Sequence, residues 1–221
     1  MFPAPTWPPL PIIVLIAALG SLLTGCTTLD YFAQAARGQM DLLEKRQPIK
    51  EVLEGGDLDP GLRSRLVLSQ KVRAFAVSEL GLRAGGSYTS YTDVGRPFVV
   101  WNVVAAPPFS VKPRRWCFPV AGCLNYRGYF SREDAEQMAA RLRAQGLDVC
   151  VAGATGYSTL GWFDDPLLST MTRQPEPDFI ATLFHELAHQ TVYIHDAPAF
   201  NEAFAEAVAE EGVHRWYEHQ G

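Results

Sequence analysis

The chain has 221 residues, 48% of them hydrophobic, with a net charge of −5 and an isoelectric point near 5.5. That length and apolar content suffice for one domain with a core of its own. The acidic balance, without a basic stripe, excludes a nucleic-acid backbone as a partner.

From Leu10 to Leu23 runs an almost unbroken apolar stretch of 14 residues. This is short of the ~20 residues that span a bilayer and suits the apolar segment of a signal peptide. It ends in Leu23-Thr24-Gly25-Cys26, which resembles the bacterial lipobox, where a cysteine is lipidated on its sulfur and becomes the new amino terminus. Residues 1–25 are therefore expected to be a lipoprotein signal peptide, with the mature chain exported and held to a membrane through Cys26. Thr27, rather than Asp, after the cysteine resembles lipoproteins sent to the outer membrane. The expected location is the bacterial cell envelope, facing the periplasm if the source is Gram-negative.

Export changes how the other cysteines are read. Cys117 and Cys123 flank a short segment containing Pro119 and Gly122, and an oxidising compartment would join them in a disulfide. Cys150 is then left over. Its place in the alternating run Leu147-Asp148-Val149-Cys150-Val151 predicts a free, buried thiol packed as a small hydrophobe.

Residues 26–84 read as an N-terminal helical region. One helix is expected from Asp30 to about Arg46, closed by Pro48, and a second from Pro60 to Leu80, with Leu62, Leu66, Val72 and Phe75 on one side and Gly81 as its stop. At Gly85-Gly86 the pattern changes. Phe98 to Val104 is β-branched and aromatic and ends at Pro107-Pro108, as a strand would. Ser131 and Asp134 cap a helix that stops at Gly146, and a strand follows over 147–152. The fold class is α+β: N-terminal helices, a small mixed sheet with one crossover helix, and then the segment in which the chemistry concentrates.

That segment is His185-Glu186-Leu187-Ala188-His189. Side chains four apart on a helix lie on one face, so two imidazoles can meet one ion while Glu186 stands beside them as a base for bound water. Ile180, Leu183, Phe184 and Leu187 fall at helical spacing, Pro177 suits a first turn, and Glu176 and Asp178 suit a helix N-terminus. The expected cofactor is Zn2+. Two residues compete to be its third ligand. His195 lies six residues beyond His189, but Val192 stands where a glycine would have to turn the chain back, and a β-branched residue resists positive φ. Glu202, on a second helix entered through Ala197-Pro198, is preferred.

With Asn201-Glu202 after the two histidines, the chain resembles the gluzincin metallopeptidases. The resemblance implies Glu202 as third ligand and Glu206, one turn on, as support for a metal-bound histidine. More closely, Cys117-Phe-Pro-Val-Ala-Gly-Cys123, Tyr126-Arg-Gly-Tyr-Phe130, Tyr157-Ser-Thr-Leu-Gly-Trp-Phe-Asp-Asp-Pro166 and the two zinc motifs are similar to the predicted aminopeptidase lipoproteins of bacteria. What this implies is a zincin-like catalytic region over 85–221, a peptide substrate, and a further carboxy-terminal helical part beyond Gly221. Tyr157 and His214 are candidate donors to the oxyanion, and Asp164 and Asp165 are candidate holders of a substrate amine. The rival class is a non-catalytic envelope lipoprotein whose zinc joins two helices. Glu186 argues against it, because a structural site has no use for a base.

Overall fold

A computed structural model describes residues 29–118, 122–159 and 161–221. Cys26 and the apolar stretch before it lie outside the described residues. The chain divides into two units, residues 1–40 and 41–221, and the hydrophobic core and the candidate site both lie in the second. The architecture is mixed α and β, with seven helices and small sheets among the described residues. No helix among them is long and apolar enough to cross a membrane.

Helix α1 covers residues 29–44. A two-residue strand β1 (Gln47–Pro48) leads into α2 (Ile49–Glu54) and α3 (Pro60–Ser78). The side chain of Asp59 accepts the Leu62 backbone N–H and Pro60 occupies the first turn, which together start α3 where the sequence places it. Then come β2 (Ser90–Thr92), β3 (Val100–Ala106), β4 (Trp116–Phe118), β5 (Gly122–Leu124), β6 (Arg127–Tyr129), α4 (Arg132–Arg143), β7 (Asp148–Ala154), β8 (Leu167–Leu168), α5 (Ser169–Thr172), α6 (Glu176–Thr191) and α7 (Pro198–Gln220).

The single mixed sheet expected from sequence is in fact three small ones. Strand β2 pairs antiparallel with β1 and parallel with β8; β3 lies between β6 and β7, antiparallel to both; β4 and β5 form a hairpin. Because β6 and β7 flank β3, α4 crosses over it, and this is the expected crossover helix. Its N-cap is Ser131, whose hydroxyl accepts the Asp134 N–H at 3.2 Å. The strands of the first sheet are short, with two residues each in β1 and β8.

The open side of the β6-β3-β7 sheet corrects the reading of Cys150. Val103 and Ala105 are buried, with Ala135, Ala139 and Leu142 of α4 also buried on that side of the fold. Cys150 pairs with Val104, whose side chain points to the other face, and its thiol is free but exposed. Alternation alone cannot say which face of a strand is covered.

The main core lies under the helices. Leu66, Val72, Phe75 and Ala76 of α3 pack with Phe179, Ile180, Leu183, Phe184 and Leu187 of α6, with Leu167, Leu168 and Met171, and with Ala209 and Trp216 of α7. Phe75 meets Trp216 edge to face, with ring centroids 5.3 Å apart. Helix α7 can come this close because residue 212 is glycine: a Cβ there would stand 2.7 Å from Cδ2 of Phe184 and 3.0 Å from Cδ1 of Leu80. Gly212→Ala should therefore lower stability by about 1–2 kcal/mol, the overpacking cost exceeding the gain of ~1 kcal/mol in helix propensity. Urea denaturation measures this, and a variant more stable than the parent would show that α7 is not held by this contact.

Candidate metal centre

The rotation of α6 about its axis is fixed by its buried residues. Pro177 lies in its first turn with Glu176 and Asp178 at the positive end of the helix, and Phe179, Ile180, Leu183, Phe184 and Leu187 are fully buried. That leaves His185, Glu186 and His189 at the margin of the core. The two imidazoles meet edge to face with centroids 4.7 Å apart, and their Nε2 atoms are 3.1 Å apart.

Helix α7 supplies the third group. Oε2 of Glu202 stands 3.4 Å from Nε2 of His185 and 3.7 Å from Nε2 of His189. One ligand atom from each of the three residues lies within 4.8 Å of the others, so this group could hold a metal ion. The distances fit one. An ion with tetrahedral bonds of ~2.0–2.2 Å keeps its ligand atoms about 3.3 Å apart, close to all three edges of this triangle. Nδ1 of His189 is buried without a hydrogen-bond partner among the described residues, so the polar contacts of that ring all run through Nε2. Glu206 reaches to 3.7 Å of Nδ1 of His185, on the side where a supporting carboxylate would stand.

Electrostatics follow from this crowding. Hydrogen bonds from His185 and His189 hold the Glu202 carboxyl down to about 2. Burial opposes protonation of His185, but the Glu202 hydrogen bond and the charges of Glu186, Glu202 and Glu206 outweigh it and raise its pKa. For Glu186, burial raises the carboxyl pKa; His185 and His189 pull it down, while Asp165 and Glu202 add to the rise.

The turn between the two helices explains why Glu202, and not His195, joins the site. Val192 is extended, with φ −134°, and turns nothing back, as a β-branched residue should not. The left-handed residue is Asp196, φ 61°, of a type that tolerates it better. Asn201 closes the turn: its Oδ1 accepts the Ile194 N–H and its Nδ2 donates to the Ile194 carbonyl, both at 2.8 Å. His195 is not in the group that His185, His189 and Glu202 form; its Nδ1 lies 3.1 Å from Asp196 and its ring is beside Gly122.

The other sequence candidates divide. Tyr157 stacks edge to face on Phe130, and burial with the nearby Asp165 charge pushes its hydroxyl up to about 12. His214 faces Glu218 and stands 12 residues along α7 from Glu202, ~18 Å at the rise of a helix, so it is not brought to the cluster. Asp164 and Asp165 make internal bonds. Oδ1 of Asp164 accepts the Gly86 N–H at 2.9 Å. Asp165, buried, accepts from Thr159, Ser158 and Gln190, while its own backbone meets Ser87 and Tyr88. These two aspartates tie the 157–166 loop to the 85–88 turn and to α6. Cys117 and Cys123 are joined as a disulfide across β4 and β5.

Sequence reasoning missed two neighbours of Glu186. Gly156 leaves room for the carboxylate: a Cβ there would lie 2.9 Å from Oε1. Tyr126 has its hydroxyl pushed well up by burial first and then by the charges of Glu202 and Glu186. Only its position in the Tyr126-Arg-Gly-Tyr-Phe motif hinted at it. Tyr88 also feels the Glu186 charge; it is buried, at φ 62°, and its hydroxyl has no partner among the described residues.

If this triad is the metal site, Glu202→Ala should lose most bound metal, because two imidazoles alone make a poor site, and His195→Ala should keep close to one ion per chain. Elemental analysis of the two purified variants decides it. Metal lost with His195→Ala and kept with Glu202→Ala would move the third ligand to the turn.

No curated protein and no solved structure matches the chain. A family model described as "Putative aminopeptidase" matches residues 30–221, a span that takes in both helices of the centre and the segments around it. The chain belongs to that family.

Proposed function

We propose that the protein is a zinc-dependent peptidase, an aminopeptidase of gluzincin type on a zincin-like catalytic region, working in the bacterial cell envelope. The observation that carries the reading is the meeting of His185, His189 and Glu202 from two helices with Glu186 beside them. Two imidazoles and one carboxylate are a donor set that suits zinc and leaves a position open. The family description supports peptide bonds as the substrate.

When bound there, zinc would act as a Lewis acid on the scissile carbonyl and lower the pKa of a water molecule. The rest falls to the chain. Glu186, raised in pKa by burial, accepts the proton of the attacking water and passes it to the leaving amine. Tyr126, kept protonated by burial and by the charges of Glu202 and Glu186, donates a hydrogen bond to the developing oxyanion, with Tyr157 as the second candidate. Glu206 orients His185.

The proposed envelope location rests on Cys26, which would carry the lipid anchor. If so, mass spectrometry of the mature protein finds acyl chains on that residue, and Cys26→Ser leaves the membrane fraction. A mature amino terminus without lipid would remove this part of the reading.

Glu186→Gln should bind zinc normally and lose peptide hydrolysis, since the base acts on water without holding the ion. Tyr126→Phe should also keep zinc and lower kcat by about 10²–10³-fold, the loss for one oxyanion donor. Zinc content and cleavage of a peptide library are measured on the same preparations. A wild type that binds zinc and cleaves no peptide would favour a structural zinc over the peptidase.

A further inference from the structure

The metal ligands come from two helices joined by six residues, 192–197, between the end of α6 and the start of α7. Two separate sets of contacts fix that turn. From within, Asn201 bonds both polar groups of the Ile194 backbone. From outside, the β4–β5 hairpin grips Asp196: the Cys123 N–H donates to Oδ1 at 2.8 Å, Arg115 donates to the Asp196 carbonyl at 3.4 Å, and the same guanidinium lies 4.0 Å from Oδ1. The Cys123 donor is the leading reason that the Asp196 carboxyl is held below its usual range.

The fit between hairpin and turn is close. Gly122 has φ 71°, and a Cβ on it would come within 3.0 Å of both Oδ1 of Asp196 and Nε2 of His195. Cys117 and Cys123 face each other across the hairpin and are disulfide-bonded, so the donor at position 123 sits on a cross-linked pair of strands. Asp196 itself takes a left-handed conformation that few non-glycine residues adopt, and such a conformation persists where its surroundings determine it. Glu202 depends on the result. Its side chain is more than half exposed and its ion-pair contacts are the two imidazoles, so the start of α7 sets where its carboxylate lies.

We propose that Asp196 is a positioning residue of the metal centre. Through it the disulfide hairpin holds the α6–α7 turn, and so keeps Glu202 at its distance from His185 and His189. The inference rests on those three residues being the metal site. It makes the affinity for the ion depend on a hydrogen bond and a cross-link that touch none of the ligands.

The test uses the full chain in detergent, with zinc affinity read by competition against a chromogenic chelator and ligand geometry by the visible absorption of the cobalt(II) form. Asp196→Ala and the double variant Cys117→Ser/Cys123→Ser should each bind zinc ~10–100-fold more weakly, the range for residues that orient ligands, and shift the cobalt bands. Asp196→Asn keeps an acceptor at Oδ1 and should stay near the wild type. If Asp196→Ala does not fold, the serine pair decides. Wild-type affinity and cobalt spectrum in both weakened variants overturn the proposal. Asp196→Asn as weak as Asp196→Ala overturns it as well, because charge and not the hydrogen bond would then be responsible. A wild type that binds neither ion refutes the site itself, a different result from an unaltered affinity in the variants.

Discussion

Everything else in the structure is arranged around the contact between α6 and α7. Two imidazoles on one helix are easy to produce, since the spacing of four does it, but a third donor within 3.4–3.7 Å of them needs a second helix at a fixed height and rotation. The height comes from the turn, where Asn201 satisfies the Ile194 backbone. The rotation comes from the core, where Gly212 lets α7 lie against Phe184 and Trp216 stacks on Phe75. Shifting either helix by an ångström would disturb those packed contacts and separate the donor atoms. Packing that tolerates no added methyl at position 212 is thus also what gives the centre its geometry.

The 155–166 segment is the second dependency. Its beginning passes beneath Glu186 at Gly156 and its end is fastened by Asp165, which accepts from Gln190 one turn along α6 from Glu186. The same aspartate receives Thr159 and Ser158 and, through its backbone, meets the 87–88 turn. A buried carboxylate would be costly without these donors. With them it becomes a junction between loop, turn and helix, and its charge adds to the rise in the Glu186 pKa. An aspartate with the look of a substrate contact in sequence is, in three dimensions, occupied by the protein.

The parts of the fold legible in the sequence were those written as local rules. The two long helices of the centre could be read from Pro177 and Pro198 in their first turns, α3 from Asp59-Pro60, and α4 from Ser131, because caps and periodicity act within a few residues. The preference for Glu202 over His195 could be argued from one backbone angle, and Val192 is indeed extended. What could not be read depends on distant chain. Whether Cys150 is covered depends on which face of β7 receives α4, and whether the strands form one sheet or three depends on pairings between distant parts of the chain. Tyr126 feels the charges of Glu186 and Glu202, which lie far along the chain from it, and no periodicity connects them. Asn201 was visible as part of a motif, but its work on the turn needs the position of Ile194.

The charges at the centre add a final constraint. Glu186, Glu202, Glu206 and Asp165 act on one another and on the two imidazoles, whose protonation would offset the negative charge of the carboxylates. This is the reason that His185 is raised in pKa despite its burial. A cation placed among the three ligand atoms would satisfy the same carboxylates, so it and the proton compete for one nitrogen, and uptake of the ion releases the proton. Burial is the leading cause of the raised Glu186 pKa, and a cation held by the neighbouring groups would work against that rise, because its own charge favours the carboxylate.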